Sequence, residues 1–212
     1  MRTDYISRQV IEENCNCAGV FIVKETDDGE NGTSKSPAAD SIMGSSSMWS
    51  VLLVESKRKN YQYSFPKGKR NKGESTLEAA KRELYEETGL KEQDYDLYPE
   101  KWYIEYRADT GKPHIVYYMA KIKNSNVVLN PIDKKEIVSA GWFTPDEIYT
   151  MRRSFYLQRR QIVTRAIRDC QMRMMVKQGR HLYDGNGLHL GNVDGRKEHA
   201  TMASQSMSST AG

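Results

Sequence analysis

Apolar residues run without a break from Gly19 to Val23 and again through most of Trp49 to Val54, two stretches of strand length separated by a polar interval. Trp102 to Tyr106, His114 to Lys121 and Ile137 to Phe143 carry a similar β-rich pattern, and Asn126 to Leu129 forms a weaker, shorter one. Two segments follow helical spacing instead. At about 100° per residue, Leu77, Ala80, Leu84 and Thr88 share one side of a helix between Ser75 and Gly89. Phe155, Ile162, Val163, Ala166, Ile167 and Cys170 do so in a longer helix reaching Val176, whose apolar side should pack on the sheet. Pro145 to Ile148 starts a short helix before it.

Two stretches interrupt this pattern. Residues 25–48 are rich in Gly, Ser, Asp and Asn and show no apolar period, which reads as an insertion at a hairpin tip, either a plain excursion or a lid over a substrate. From about Gly179 onward the composition cannot bury enough surface to offset the entropy of ordering. The expected organisation is an N-terminal segment over 1–16, one domain over 17–178 carrying the insertion, and a disordered tail over 179–212. A mean hydropathy of −0.75 agrees with a single core accompanied by unstructured peptide.

The helix from Ser75 carries the chemistry. Ser75 followed three residues later by Glu78 is a capping box, and Gly89 supplies the positive φ at which helices end. Glu83, Glu86 and Glu87 fan out beside the apolar side, with spacings of three and four residues that make them repelling neighbours. A hard divalent cation reverses the sign of that repulsion, since magnesium takes oxygen ligands and keeps waters while bridging to phosphates. Ala79 is small and projects between Glu83 and Glu86, leaving room for metal and water. A lone Glu-Glu pair would more often be a solvated acidic face. Arg82, the capped helix and the glycine-bearing loop before it weigh against that here.

Gly68, Glu74, Arg82, Glu83, Glu86, Glu87 and Gly89, with Leu84 and Leu90, fill every position of the Nudix box, and the stretch resembles that family. With the flanking strands and the late helix, the resemblance extends over roughly residues 17–175. It implies an α/β fold, an α/β/α sandwich around a mixed sheet, and hydrolysis of a phosphoanhydride with magnesium or manganese. On the same resemblance Glu83, Glu86 and Glu87, with the Gly68 carbonyl, hold the metal, while Glu74 and Arg82 pair to join loop and helix. The general base is ranked as Glu83 or Glu86, with Glu136, which precedes a strand, as a metal-assisting candidate.

Charge bears on the substrate. Residues 151–200 hold eleven Lys or Arg against four Asp or Glu, a net +7, so the remainder of this +4 chain is −3. Lys67, Lys69, Arg70 and Lys72 crowd the loop before the helix and read as a clamp for a highly anionic substrate, the competing view being a solvated loop. The Phe65-Pro66-Lys67-Gly68-Lys69 run is similar to those of messenger-RNA decapping enzymes and of dinucleoside and diphosphoinositol polyphosphate hydrolases within the family. The first expectation is a small polyphosphate substrate, the alternative the 5′ end of RNA. A catalytically idle binding module is the reading from another class, and the complete set of carboxylates disfavours it. Arg152, Arg153, Arg159 and Arg160 could track an RNA backbone, grip clustered phosphates or simply face water. Tyr103, Tyr106, Tyr117 and Tyr118 could stack on bases but at strand spacing are more often packing residues.

Cys15, Cys17 and Cys170 provide no disulfide framework, and Cys15-Asn16-Cys17 lacks the partners of a zinc site. No run is long and apolar enough to span a bilayer, which leads to an expected cytosolic or nuclear location. Oligomeric state leaves no mark in the sequence.

Overall fold

The β1 strand, Cys17–Glu25, lies at the middle of a seven-stranded mixed sheet in the computed structural model, which describes residues 7–26, 49–57, 62–151 and 153–177. Most of the 25–48 insertion and the whole 179–212 tail fall outside the described residues. The chain divides into units Met1–Gln171 and Met172–Gly212; the fold is that of the first, and the second has only the end of the last helix within the described residues.

The other strands are β2 (Trp49–Ser56), β3 (Tyr63–Ser64), β4 (Lys67–Lys69), β5 (Tyr95–Tyr106), β6 (Pro113–Ile122) and β7 (Ile137–Phe143). The helices are α1 (Arg8–Asn14), α2 (Thr76–Thr88), α3 (Pro145–Thr150) and α4 (Leu157–Lys177). β1 pairs in parallel with β6 from Cys17 to Val23, and β6 pairs antiparallel with β5. On its other edge β1 meets β2 only over Val23 to Glu25, and over Cys17 to Gly19 it meets β4 instead. β2 in turn leaves β1 to pair with β3 at Val54 and Glu55, while β7 covers its far edge. The short β3–β4 segment therefore wedges between two diverging strands, and the box loop begins where that wedge ends.

Alternation sorts the core into two layers. Ala18, Val20, Ile22, Leu52, Val116, Tyr118 and Ala120 face Ala79, Ala80 and Leu84 of α2, with Ile11 of α1 in the same cluster. On the other face Phe21, Phe65, Tyr117, Tyr103 and Phe155 make edge-to-face ring contacts, with Phe65 at 5.0 Å from both Phe21 and Tyr117. Ile162, Val163, Ala166, Ile167 and Cys170 of α4 are buried as their spacing predicts. At about 1.5–3 kcal/mol for each large side chain fully removed from water, such layers offset the entropy of ordering the helices they hold.

Several expectations need revising. α1 is not a separate N-terminal segment, because Ile11 and Cys15 are fully buried in the core that α2 shares. Ala79 does not open space for a metal; it too is fully buried in that core. β5 is more than twice as long as Trp102 to Tyr106, since an irregularity between Tyr98 and Trp102 lets the ladder continue past Pro99. Asn126 to Leu129 is not a strand. Tyr103, Tyr117 and Tyr118 are packed in the interior, leaving Tyr106 as the exposed one of that group.

Candidate active site

The helix bearing the carboxylates starts and stops as its residues dictate. Ser75 caps α2, its hydroxyl accepting from the Glu78 amide while the Glu78 side chain accepts from Ser75 N–H at 2.8 Å. Gly89 ends it at φ 79°, and a Cβ there would also lie 2.5 Å from the Asn130 carbonyl oxygen. That crowding reflects how the loop after β6 closes the helix. Asn130 N–H donates to the Thr88 carbonyl, and Ile132 and Asp133 N–H donate to that of Glu86. The same loop then delivers Glu136, whose N–H donates to Asp133 Oδ1 at 3.2 Å.

Arg82 organises the acidic side. Its Nε and Nη2 donate to the Glu74 carboxylate at 2.8 and 3.0 Å, Nη2 also to the Lys69 carbonyl, and Nη1 to Glu83 at 2.7 Å and Glu86 at 3.1 Å. These bonds hold the Glu74 carboxyl below its usual range. Burial works the other way on Glu83, raising its pKa against the pull of Arg82, with the Glu86 charge adding to the rise.

Glu87 is the most enclosed of the four, 8% exposed, and accepts the Lys67 amide at 2.9 Å. Burial pushes its pKa up to about 7; Lys67 opposes that, while Glu83 and Glu136 reinforce it. Glu87 thus lies within electrostatic reach of Glu83 and Glu136, and Glu83 within that of Glu86, although the four differ widely in exposure. Gly68 faces the same place, for a Cβ on it would fall 2.0 Å from the Glu83 carboxyl carbon.

This donor set fits a hard divalent cation. All its side-chain donors are oxygens, two are desolvated carboxylates that a positive neighbour would hold ionised, and the missing side chain at Gly68 keeps the carboxylate approachable. Among the described residues no three His, Cys, Asp or Glu groups already surround a common point. Magnesium needs only one or two carboxylates when waters and substrate phosphates supply the rest.

The basic residues expected at the substrate divide. Lys69 and Lys72 are exposed and Lys67 is half-buried beside Glu87. Arg70 turns inward: Nε and Nη2 donate to the Glu74 carbonyl at 3.0 and 2.7 Å, Nη1 to the Glu12 carbonyl at 2.6 Å, and Nη2 pairs with the Glu12 carboxylate at 3.2 Å. Its donors are spent on holding the loop together. Arg159 turns inward as well and sits at 8% exposure, with Nε 2.9 Å from Glu105, which also accepts the Tyr117 hydroxyl at 2.8 Å. Sequence reasoning missed Glu12 and Glu105, because neither belongs to a motif. Their only local signal is an acidic residue in an otherwise amphipathic or alternating stretch.

A mixed sheet with a capped helix packed on it, a glycine against the Glu83 carboxylate and an arginine tying loop to helix accord with the class the family match defines, a hydrolase acting on pyrophosphate bonds, generally with divalent metals. The chain belongs to the Nudix family: the NUDIX domain matches residues 38–166. Over 122 residues it is 34% identical to a putative mRNA-decapping protein of Acanthamoeba polyphaga mimivirus, and over 115 residues 32% identical to the m7GpppN-mRNA hydrolase dcap-2 of Caenorhabditis elegans. Each match takes in 54% of this chain but only 33% of the first relative and 14% of the second. Among solved structures it is similar to a C. elegans Ap4A hydrolase, with a TM-score of 0.53 and 18% identity over 74% of this chain and 96% of that one. It is also similar to the M. smegmatis Nudix hydrolase RenU, with a TM-score of 0.50 and 17% identity over 73% and 88%. At these identities the likeness to the solved structures is one of fold.

Proposed function

We propose that this chain hydrolyses a phosphoanhydride bond with magnesium or manganese, and that its substrate is the capped or phosphorylated 5′ end of RNA. The observation that carries the hydrolase reading is the Glu83 carboxylate against Gly68 and tied by Arg82 to Glu86, with the desolvated Glu87 in electrostatic reach of Glu83 and Glu136. Glu83, Glu86 and Glu87 with the Gly68 carbonyl would hold the cation, which when bound neutralises phosphate charge and acidifies a water. Glu83 or Glu86 takes the water's proton, and Glu136 assists from the loop fastened to the end of α2. Arg82 and Glu74 keep the loop and the helix in register. Lys67, Lys69 and Lys72 attract the phosphate chain.

The RNA reading is favoured by the two relatives named for messenger-RNA decapping, which are the more similar in sequence. A small polyphosphate, dinucleoside or diphosphoinositol, is the second reading, favoured by the exposed Lys69 and Lys72 in the segment leading into α2. The deciding experiment is a substrate panel with magnesium. Release of a nucleoside diphosphate from capped RNA, with small polyphosphates intact, supports the first reading. The reverse pattern replaces it with the second, and no hydrolysis of any anhydride leaves a binding module.

A further inference from the structure

We propose that Glu12, in α1 and outside both the box and the matched domain, is a positioning residue for the carboxylate site. This rests on the hydrolase reading for its link to catalysis, but its geometry stands independently. Glu12 lies at the start of an unbroken chain of charge-assisted bonds that ends on Glu83 and Glu86. Its carboxylate accepts the Thr76 amide at 3.0 and 3.2 Å and the Thr76 hydroxyl at 2.6 Å. That hydroxyl points its one O–H at Glu12, so Tyr118, 2.6 Å away, donates to its oxygen in turn. Thr76 is the first residue of α2, and its amide is one of those the helix itself cannot satisfy. Ser75 caps the Glu78 amide, and a carboxylate from another helix caps that of Thr76.

The second branch runs through Arg70. Glu12 holds its guanidinium through both the carboxylate, at 3.2 Å, and the carbonyl, at 2.6 Å. The same guanidinium grips the Glu74 carbonyl, while the Glu74 carboxylate accepts Arg82 and the Asn71 amide. Glu74 thus joins two arginines through one residue: a shift of its backbone moves the acceptor on which Arg82 rests. Arg82 then reaches Glu83 at 2.7 Å and Glu86 at 3.1 Å. The two branches from Glu12 fix the loop before α2 and the first turn of α2 against the same carboxylate, so the direction of the acidic side chains depends on α1. Ile11, beside Glu12, anchors α1 in the core without touching this chain of bonds.

The test compares Glu12→Ala and Glu12→Gln with Ile11→Val, which loosens the packing of α1 but leaves the chain of bonds intact. Manganese affinity is read by electron paramagnetic resonance of the free ion, kcat and KM on whichever panel substrate the wild type cleaves, and Tm by calorimetry. Positioning predicts that Glu12→Ala loses about tenfold in manganese affinity and in kcat, with KM little changed. Glu12→Gln, which keeps an acceptor for Thr76 but gives up the ion pair with Arg70, should fall between it and the wild type. Ile11→Val should lower Tm while keeping both affinity and kcat. Glu12 variants that match Ile11→Val in both readouts, or a wild type that takes up no manganese, overturn the proposal. If Glu12→Ala does not fold, Glu12→Gln decides by the same criteria. A manganese shift without hydrolysis of any anhydride by the wild type sinks the hydrolase reading and leaves the positioning role standing; hydrolysis without the shift does the opposite.

Discussion

Gly68 lies so near Glu83 that a methyl group on its Cα would sit 2.0 Å from the Glu83 carboxyl carbon and 2.1 Å from both oxygens. Backbone and carboxylate can be neighbours only because no side chain stands between them. Gly68→Ala should therefore push the end of the flexible Glu83 side chain away from Arg82, with little loss of stability but loss of most of the hydrolytic activity. Urea titration and initial rates check both, and an unaltered rate would show that the Glu83 carboxylate need not stay where it is.

Glu86 is the most exposed of Glu83, Glu86 and Glu87, its side chain 43% accessible, so replacing it should separate chemistry from folding. Glu86→Gln should keep stability within about 0.5 kcal/mol and lower kcat at least tenfold to hundredfold, by rough analogy with lost metal-site partners. Turnover unchanged at saturating magnesium would remove Glu86 from the site.

Arg159 and Glu105 form a buried pair that also serves Tyr117, and the Gln158 side chain bonds both the N–H and the carbonyl of Tyr106 beside it. Arg159→Met leaves a carboxylate buried without its cation, at a cost of about 3–5 kcal/mol. Adding Glu105→Gln should recover part of that loss. A single variant within experimental error of the wild type in urea would mean that the pair is solvated in solution.

Burial pushes the Cys15 thiol from 9.0 up to about 12, with the nearby Cys17 and Glu12 adding to the rise. Because the folded thiol holds its proton over a range where the unfolded one has lost it, the contribution to stability is full below about pH 9 and fades as pH rises toward 12. Cys15→Ala should flatten the decline in unfolding free energy between pH 9 and 10.5, by at most about 1.4 kcal/mol per pH unit. Parallel curves for the two proteins would refute the shift.

Lys69, at the end of β4, and Lys72, in the loop that leads to α2, are exposed, and their charge should act on substrate rather than on folding. Lys69→Ala and Lys72→Ala should each raise KM for an anionic substrate and, with single-stranded RNA, reduce the salt slope by about 0.7 per lost contact. Equal slopes for variants and wild type would place both lysines outside the binding surface.

Much of this was open to reading along the chain. The bounds of β7, the buried side of α4, and both caps of α2 follow from periodicity and from Ser75, Glu78 and Gly89, all local features. The length of β5 was hidden by Pro99, whose place in the strand depends on an irregular register that sequence alternation does not display. α1 was hidden because seven residues carry too little period to stand out, and a helix that short holds only through its anchor in a core formed elsewhere.

What the sequence alone determined is the inventory: three carboxylates at helical spacing, an arginine and a glycine at set distances from them, and strands on either side. Spacing along one helix does that without help, since its geometry is local. Tertiary structure decided which of those groups face water, enclosing Glu87, turning Arg70 and Arg159 inward and bringing Glu12 to the head of α2. The last three of those outcomes hang on partners 54 to 64 positions away, Glu105 for Arg159, Glu12 for Arg70 and Thr76 for Glu12. Burial and charge pairing at that range exist only once the strands have met, so no local pattern encodes them.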